Sequence, residues 1–286
     1  MKPDNKVSLI IPAYNEEEII EVVIKKAKQI PKISEIIVVD DGSTDNTAKI
    51  VSSLGVKLLC HPYNKGNGAA IKTGLRAATG DIVLFMDADG QHQPEDIENL
   101  LEKTDQYELV VGSRTSSSES SLLRRLGNGI FNKLASYLAG KKISDLTSGF
   151  RAAKRECMLE FIHLLPNGFS YPTTTTLAFM KAGYSVAFVP IKTLKRVGQS
   201  KIRLFRDGMK FFVIILKIIT LFHPLKIFLP ISLFFFLVGG GYAVYTIITQ
   251  MDITDPSVLL ISMSVIIFLV GLVSEQIAAL RLERRK

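Results

Sequence analysis

Two aspartates, Asp87 and Asp89, are the residues whose type and spacing most directly suggest chemistry. They follow the short apolar run of residues 82–86, which comes after a Thr-Gly-Asp turn and is therefore predicted to be a buried strand. Buried carboxylates without partners are costly, whereas two carboxylates at this spacing can share a hard divalent cation. Gln91 adds an amide oxygen two positions further on. The pattern predicts a site for a metal ion bound to phosphates.

Two further polar clusters follow predicted strands. Residues 12–16 read Pro-Ala-Tyr-Asn-Glu and residues 40–43 read Asp-Asp-Gly-Ser. One of Asp40 and Asp41 is expected only to shape the turn and cap the next helix. Ligands of doubly wound sheets bind beyond the carboxyl ends of the strands. Three polar clusters at equivalent positions therefore indicate one shared binding site.

The elements that must position these clusters follow from the periodicity of the apolar residues. Strands are predicted at residues 7–12, 35–39, 56–60, 82–86, 108–111 and 185–189. Helices are predicted at residues 16–29, 44–52, 66–78, 124–138, 154–164 and 173–182, with a loop at 145–151. The glycines at the start of the helix at residue 66 are interpreted as allowing close packing. Strands that alternate with helices predict an α/β fold with a mostly parallel sheet.

Charge and cysteine content narrow the class of protein. The 286 residues carry a formal net charge of +8 and only two cysteines, Cys60 and Cys157, which lack metal-ligand spacing. The N-terminus lacks the apolar core of a signal peptide. A basic excess suits nucleic acid, an anionic membrane surface or phosphorylated substrates. The apolar C-terminal part favours the membrane, so no nucleic-acid partner is predicted.

The chain changes character at about residue 201. Residues 202–222 mix apolar side chains with Arg and Lys, which is typical of helices in the membrane interface. Residues 227–248 and 258–280 are each long and apolar enough to span a bilayer. Basic residues flank this pair but are missing from the turn between the spans, so the positive-inside rule predicts a multi-pass membrane protein with a cytoplasmic N-terminal domain and C-terminus. A buried soluble hairpin is the alternative.

These features divide the chain into three predicted parts. They are a cytoplasmic α/β domain at residues 1–200, amphipathic interfacial helices at 201–226, and a two-helix transmembrane hairpin with a basic tail at 227–286.

The motifs together resemble those of a known family. Residues 12–16, 38–45, 87–92 and 112–114 resemble the family 2 glycosyltransferases of GT-A fold. Residues 147–151 and 198–201 resemble the branch that contains dolichol-phosphate mannose synthase and bacterial polyprenyl-phosphate glucosyltransferases. The resemblance implies a GT-A, Rossmann-like domain that transfers a hexose from a nucleotide sugar of the GDP-mannose or UDP-glucose type. The implied acceptor is a dolichyl or undecaprenyl phosphate in a lipid membrane, and similar membrane-bound relatives imply a homo-oligomer, a tetramer.

The resemblance also implies roles for individual residues. The nucleotide sugar is expected to contact Pro12, Tyr14, Glu16, Val39, Asp41, Asp87 and Ala88. A Mg²⁺ or Mn²⁺ ion is expected on Asp87, Asp89 and Gln91, with Asp87 directed chiefly toward the donor. The acceptor phosphate is expected near Arg114, Arg124, Asn128, Lys201 and Arg203. Asp89 and Arg114 are the expected catalytic residues.

The expected reaction is an inverting displacement, in which a lipid phosphate oxygen attacks the anomeric carbon and a nucleoside diphosphate leaves. The second pKa of a phosphomonoester is about 6, so the acceptor needs little help from a base, and no histidine is assigned a proton-transfer role. A processive polysaccharide synthase is disfavoured because the chain has no Trp for a Gln-x-x-Arg-Trp motif. Two rival functions stay open: transfer to a lipid hydroxyl, which needs a base near Asp145 or beyond, and a non-catalytic membrane scaffold.

Overall fold

The computed structural model describes most of the chain. The described residues are 5–114, 129, 132–133, 135–137, 139–168, 170–192, 213, 216–217, 219–220 and 222–283. The predicted helix at 124–138 and the predicted interfacial helices at 202–222 lie largely outside them. The chain divides into two compact units, Met1–Ile214 and Ile215–Lys286. The three predicted domain boundaries stay predictions.

The first unit is built on one seven-stranded sheet. Its strands are β1 (Val7–Ala13), β2 (Ile33–Asp40), β3 (Lys57–Cys60), β4 (Ile82–Phe85), β5 (Leu109–Arg114), β6 (Arg151–Lys154) and β7 (Val186–Ile191). Their order across the sheet is β3-β2-β1-β4-β6-β5-β7. Strand β6 is antiparallel to β4 and β5, and the other neighbouring pairs are parallel. The predicted mostly parallel sheet is confirmed.

Helices cover the sheet. They are α1 (Ile20–Lys28), α2 (Thr47–Ser53), α3 (Asn67–Ala77), α4 (Pro94–Lys103), α5 (Arg155–Glu160) and α6 (Tyr171–Lys181), with a 3₁₀ turn at Ile162–Leu164. The prediction that the first helix begins at Glu16 is wrong by four residues. Asn15 has a positive φ of 53°, and residues 16–19 form a turn before α1 begins.

Strand β6 corrects a second prediction. The sequence predicts loop up to Arg151 and helix from Lys154, but Arg151–Lys154 is a strand. Its sequence, Arg-Ala-Ala-Lys, has neither β-branched residues nor an alternating pattern. The strand forms because its backbone pairs on both sides, with Arg151 opposite Phe85 of β4 and Val111 of β5. Pairing with two neighbours outweighs the weak local preference.

The core keeps the site-bearing strands rigid. Every residue of β1 and of β4 is buried, because helices cover both faces of the central strands. On one face α1 contributes Ile20, Val23 and Ile24 to the hydrophobic core. Strands buried in this way fix where their carboxyl ends, and the polar residues that follow, are placed.

The second unit contains two long helices, α7 (Leu225–Gln250) and α8 (Asp255–Glu283). Both are long and apolar enough to cross a membrane, and only 11% and 17% of the residues in their most apolar stretches are buried. The core helix of a soluble protein would be mostly buried, so the alternative of a buried soluble hairpin is disfavoured. The helices pack through small residues, with Ser232 Oγ donating to the Ser264 carbonyl at 3.0 Å. Such contacts are typical of helix pairs in lipid.

Candidate active site

The carboxyl ends of four strands bring most of the predicted site residues to one edge of the sheet. Those within the described part of the chain are Pro12, Tyr14, Glu16, Val39, Asp41, Asp87, Ala88, Asp89, Gln91 and Arg114. Strands β2, β1 and β4 are adjacent and parallel, and antiparallel β6 separates β4 from β5. The first residue of β6, Arg151, therefore lies at the same edge. The predicted acceptor residues Arg124, Asn128, Lys201 and Arg203 lie outside the described residues, and their roles stay predictions.

The carboxylate of Asp41 is buried and held from three directions. The backbone N–H groups of Lys65 and Gly66 donate to its two oxygens at 2.9 and 2.8 Å. The His61 Nδ1 atom lies 2.7 Å from Asp41 Oδ1, and its Nε2 atom lies 2.9 Å from Thr73 Oγ1. These donors use three of the roughly four acceptor positions of a carboxylate. Asp41 thus ties β2 to the loop after β3 and retains capacity for one further donor.

The loops after β1 and β2 are fastened to each other. The Thr44 N–H group donates to Asn15 Oδ1 at 2.8 Å, and the Asn15 N–H group donates to Ser43 Oγ at 2.9 Å. Asp40 accepts from the Ser43 N–H group at 3.2 Å, which identifies it as the aspartate that shapes the turn. The backbone that carries Tyr14 is therefore fixed against the end of β2.

Gly66 and Gly68 allow α3 to begin against another loop, as the sequence predicted. A Cβ atom on Gly68 would lie 2.1 Å from the carbonyl oxygen of Pro166, and one on Gly66 would lie 2.4 Å from that of Asn167. The Ala69 N–H group donates to the Asn167 carbonyl at 3.0 Å. The glycines therefore serve packing.

The carboxylate pair after β4 suits a hard cation. Asp89 is buried and its Oδ1 accepts from the Gln91 N–H group at 3.2 Å. Gly90 adopts a positive φ of 71°, which turns the chain between these residues. Among the described residues no group of three or more His, Cys, Asp or Glu side chains is placed to hold a metal. Two carboxylates and an amide still fit Mg²⁺ or Mn²⁺, which commonly complete their oxygen shell with water and substrate phosphates.

Asp145 orients Arg114. On sequence alone, Asp145 has a suggested role only in the rival function, because transfer to a lipid hydroxyl needs a base near Asp145 or beyond. The Arg114 Nε and Nη2 atoms donate to the two oxygens of Asp145 at 2.8 and 3.0 Å, and Nη2 also donates to Thr147 Oγ1 at 2.6 Å. Burial raises the pKa of Asp145, but hydrogen bonds and the charge of Arg114 outweigh burial, so the net pKa is lowered. An ionised carboxylate committed to an arginine is a poor general base. This argues against Asp145 as the base of a hydroxyl-transfer reaction.

His92 packs as an uncharged ring. It stacks on Phe150, with ring centroids 4.3 Å apart and planes inclined by 12°. Burial lowers the pKa of His92 to about 4, against the effect of Asp87 and together with that of Arg114. Its Nδ1 atom is buried and has no hydrogen-bond partner among the described residues. The stacking indicates that His92 supports the loop after β4.

Sequence reasoning missed three residues of this edge: His61, Asp145 as the partner of Arg114, and Arg151. Each acts through a contact between positions far apart in the chain, and periodicity carries no signal for such contacts. The Thr-Ser-Gly-Phe-Arg motif at 147–151 is the sequence signal for this segment, but it indicates a branch of the family and not the contacts of Arg151.

Comparison with known proteins supplies independent findings. The profile of glycosyl transferase family 2 matches residues 8–160, which is more than half of the chain. A second profile, the GtrB C-terminal hairpin, matches residues 223–280.

Relatives of known sequence include one from an archaeon and several from bacteria. An uncharacterized protein of Methanocaldococcus jannaschii, MJ1222, is 32% identical over 200 residues, which cover 66% of this chain and 82% of that protein. The undecaprenyl-phosphate 4-deoxy-4-formamido-L-arabinose transferase of Proteus mirabilis is 35% identical over 188 residues, covering 59% of this chain. The match spans 58% of the length of that transferase.

Solved structures support the fold. The glucosyl-3-phosphoglycerate synthase of Mycobacterium tuberculosis, in complex with Mn²⁺, UDP and phosphoglyceric acid, has a TM-score of 0.64 at 21% identity, over 76% of this chain and 79% of that one. The same synthase with Mg²⁺ and UDP has a TM-score of 0.63 at 22% identity, over 75% and 79% of the two chains. At this level of identity the likeness shows the fold alone. It confirms the predicted GT-A class.

Proposed function

Because the chain belongs to glycosyl transferase family 2 and is therefore a glycosyltransferase, we propose that it transfers a hexose from a nucleotide sugar to a polyprenyl phosphate at the cytoplasmic face of a membrane. One observation carries the proposal. One edge of the sheet, at the carboxyl ends of the strands, carries the carboxylates of Asp87 and Asp89 and the oriented guanidinium of Arg114. The same chain also contains two exposed apolar helices. Relatives named as undecaprenyl-phosphate transferases support the acceptor class.

The donor is a nucleotide sugar of the GDP-mannose or UDP-glucose type. Its base and ribose are assigned to Pro12, Tyr14, Glu16, Val39 and Asp41. The remaining acceptor capacity of Asp41 supports this assignment, since an N–H or hydroxyl group of a nucleoside is a donor of the required kind. Asp87 and Ala88 would contact the ribose, diphosphate and sugar.

Asp87, Asp89 and Gln91 would hold a Mg²⁺ or Mn²⁺ ion. When bound, such an ion supplies positive charge beside the diphosphate. Solved structures of the same fold that contain Mn²⁺ or Mg²⁺ together with UDP support a divalent ion in this class of site.

Arg114 has the clearest catalytic assignment. Asp145 and Thr147 hold its guanidinium before substrate arrives, so little reorganisation is needed when negative charge develops on the leaving diphosphate. The charge of the guanidinium is permanent and also suits phosphate oxygens. The side chain would stabilise the phosphates on both sides of the transferred sugar.

The reaction forms a bond between an acceptor phosphate oxygen and the anomeric carbon. The bond between that carbon and the donor diphosphate oxygen breaks, and the configuration inverts. The acceptor phosphate is largely ionised at neutral pH, so no proton has to be removed. The roles of Asp145 and His92 agree with this, because one is committed to Arg114 and the other stacks on Phe150.

The two apolar helices of the second unit support a lipid acceptor. Helices α7 and α8 leave most of their apolar side chains exposed, which suits contact with lipid. Basic residues flank the pair, and on the positive-inside rule the catalytic domain is cytoplasmic. The polyprenyl tail can then stay in the bilayer in which the chain itself is anchored.

A panel assay tests the proposal. Full-length protein in lipid nanodiscs is incubated with Mg²⁺ or Mn²⁺, labelled GDP-mannose, UDP-glucose or UDP-N-acetylglucosamine, and undecaprenyl or dolichyl phosphate. Dolichol and diacylglycerol serve as hydroxyl controls. We expect a labelled glycosyl polyprenyl phosphate with one donor and no product with the hydroxyl lipids. Transfer to a hydroxyl lipid would contradict the acceptor class, and donor binding without transfer to any lipid would favour a scaffold.

A further inference from the structure

A fully buried arginine lies beside the active-site edge. Arg151 is 0% exposed and begins β6, between β4 and β5. Burying an arginine in such a position is energetically costly unless its charge and its donors are satisfied. An apolar residue would pack there at lower cost, so the charge itself calls for an explanation.

The donors of Arg151 reach the segment that carries Asp145. Its Nε and Nη2 atoms donate to the Ser148 carbonyl, the first at 3.2 Å. The Ser148 N–H group in turn donates to Asp145 Oδ1 at 3.1 Å, and Asp145 holds Arg114. A continuous chain of contacts therefore joins the buried arginine to the proposed catalytic arginine.

The other side of Arg151 faces α6. Nη1 donates to the Pro172 carbonyl at 2.9 Å and to Thr176 Oγ1 at 3.3 Å. The guanidinium also lies over the Tyr171 ring, 5.8 Å from its centroid. The Tyr171 hydroxyl donates to the Gly149 carbonyl at 3.2 Å. Arg151 thus fixes the segment around Ser148 against a buried helix.

The backbone of Gly149, in the same 145–149 segment, lies close to Asp87. A Cβ atom on Gly149 would lie 2.8 Å from Asp87 Oδ2, so the backbone at this position is in close contact with the carboxylate. Burial lowers the pKa of Arg151 to about 10, while Tyr171, Asp145 and Asp87 act in the opposite direction. The guanidinium of Arg151 is therefore still positively charged at neutral pH, and the negative charges of Asp145 and Asp87 favour that charged form.

We propose that Arg151 is a positioning residue, which sets Arg114 through the 145–149 segment and whose charge offsets the negative charge of Asp87 toward a bound cation. The inference rests on the proposed function, since it assigns a consequence to the proposed metal site. The Arg151 side chain therefore has two separable effects. It fixes the orientation of Arg114, and its positive charge weakens the attraction of Asp87 for a cation.

Two substitutions separate these effects. Arg151→Lys keeps the charge but loses the planar fork, and Arg151→Met loses both. Mn²⁺ binding is measured by electron paramagnetic resonance on full-length protein with UDP, and in a parallel arm with GDP. We expect Arg151→Met to bind Mn²⁺ on the order of tenfold more tightly, because a nearby cation has been removed. Arg151→Lys should bind Mn²⁺ as the wild type does, while both variants lose kcat for sugar transfer.

Thr176 and Thr175 offer a matched pair in case Arg151→Met does not fold. Both are buried in α6 and donate to the carbonyl four residues earlier, but only Thr176 accepts from Arg151. Thr176→Val should lower kcat about threefold to tenfold without changing the affinity for Mn²⁺, and Thr175→Val should change neither. Thermal unfolding of all variants provides the stability reference.

The outcomes distinguish a failure of the proposed function from a failure of the role proposed for Arg151. If the wild type binds no Mn²⁺ with either nucleotide and transfers no sugar, the proposed function fails. If the wild type is active but folded Arg151→Met has unchanged or weaker affinity for Mn²⁺, the charge effect is overturned. Equal losses of kcat in Thr176→Val and Thr175→Val would overturn the positioning effect.

Discussion

The Nδ1 atom of His61 lies 2.7 Å from Oδ1 of Asp41, and both side chains are buried. A carboxylate accepts hydrogen bonds, so the proton of this contact is on the imidazole. The other ring nitrogen contacts Thr73 Oγ1. The contact fixes the carboxylate that is assigned to the nucleoside, and it joins two loops that are distant in the sequence.

His61→Ala is expected to weaken nucleotide binding more than it slows transfer. Without the imidazole, the Asp41 carboxylate loses one of its three donors, and the free energy of unfolding falls by about 1–3 kcal/mol. We expect the donor KM to rise about tenfold with kcat nearly unchanged. His61→Asn should recover part of the affinity, because its amide can still donate to Asp41. An equal loss of affinity in both variants would contradict the orienting role, and calorimetry with the donor nucleotide provides the measurement.

Arg114→Lys is expected to lower kcat by about 10²-fold, a loss typical of removing one preorganised donor from a developing negative charge. Lysine keeps the charge but cannot make the two-pronged contact with Asp145. Steady-state kinetics with the donor and polyprenyl phosphate give the value. Lys133, an exposed residue with no assigned part in the site, provides the control, since Lys133→Gln should leave kcat unchanged. A normal kcat for Arg114→Lys would remove this arginine from the mechanism.

The strand-end clusters were predictable because short apolar runs mark buried strands and the polar residues that follow them must reach one edge. Residues 87–91 and residues 40–43 are found there. The Arg114–Asp145 contact was not predictable, since its partners are 31 positions apart and only the tertiary fold brings them together. Strand β6 was missed because neighbouring strands, rather than its own residues, make Arg-Ala-Ala-Lys extended.

Acid should remove the stabilising effect of the Arg114–Asp145 pair. The pKa of Asp145 is lowered in the folded state, despite burial, by hydrogen bonds and by the charge of Arg114. The unfolded value is about 3.9, so the contribution to stability is complete above that pH and is lost as the pH falls through the folded value. At pH 7 the wild type should exceed Asp145→Asn by about 2–3 kcal/mol in free energy of unfolding.

Unfolding of the full chain followed from pH 7 to pH 3 provides the measurement for this pair. The difference between the wild type and Asp145→Asn should be constant above about pH 5 and should shrink below about pH 4. A control substitution at exposed Asp252 should show no such convergence. A difference that stayed constant down to pH 3 would mean that the pKa of Asp145 is the same in the folded and unfolded states, and that Arg114 does not lower it.

Gly149→Ala is expected to reduce transfer without unfolding the protein. The added Cβ would lie 2.8 Å from Asp87 Oδ2, closer than ordinary Cβ contacts allow, so the carboxylate or the segment must shift. Because Asp87 is assigned to the donor and the metal, we expect kcat to fall at least tenfold and the affinity for Mn²⁺ to fall with it.

Gly168→Ala is the matched control, since a Cβ there has no atom within 4 Å. Thermal unfolding and Mn²⁺ titration of both variants, in parallel with the transfer assay, separate a displaced carboxylate from a general loss of stability. A Gly149→Ala variant with normal Mn²⁺ affinity and normal kcat would show that the position of Asp87 does not limit the reaction.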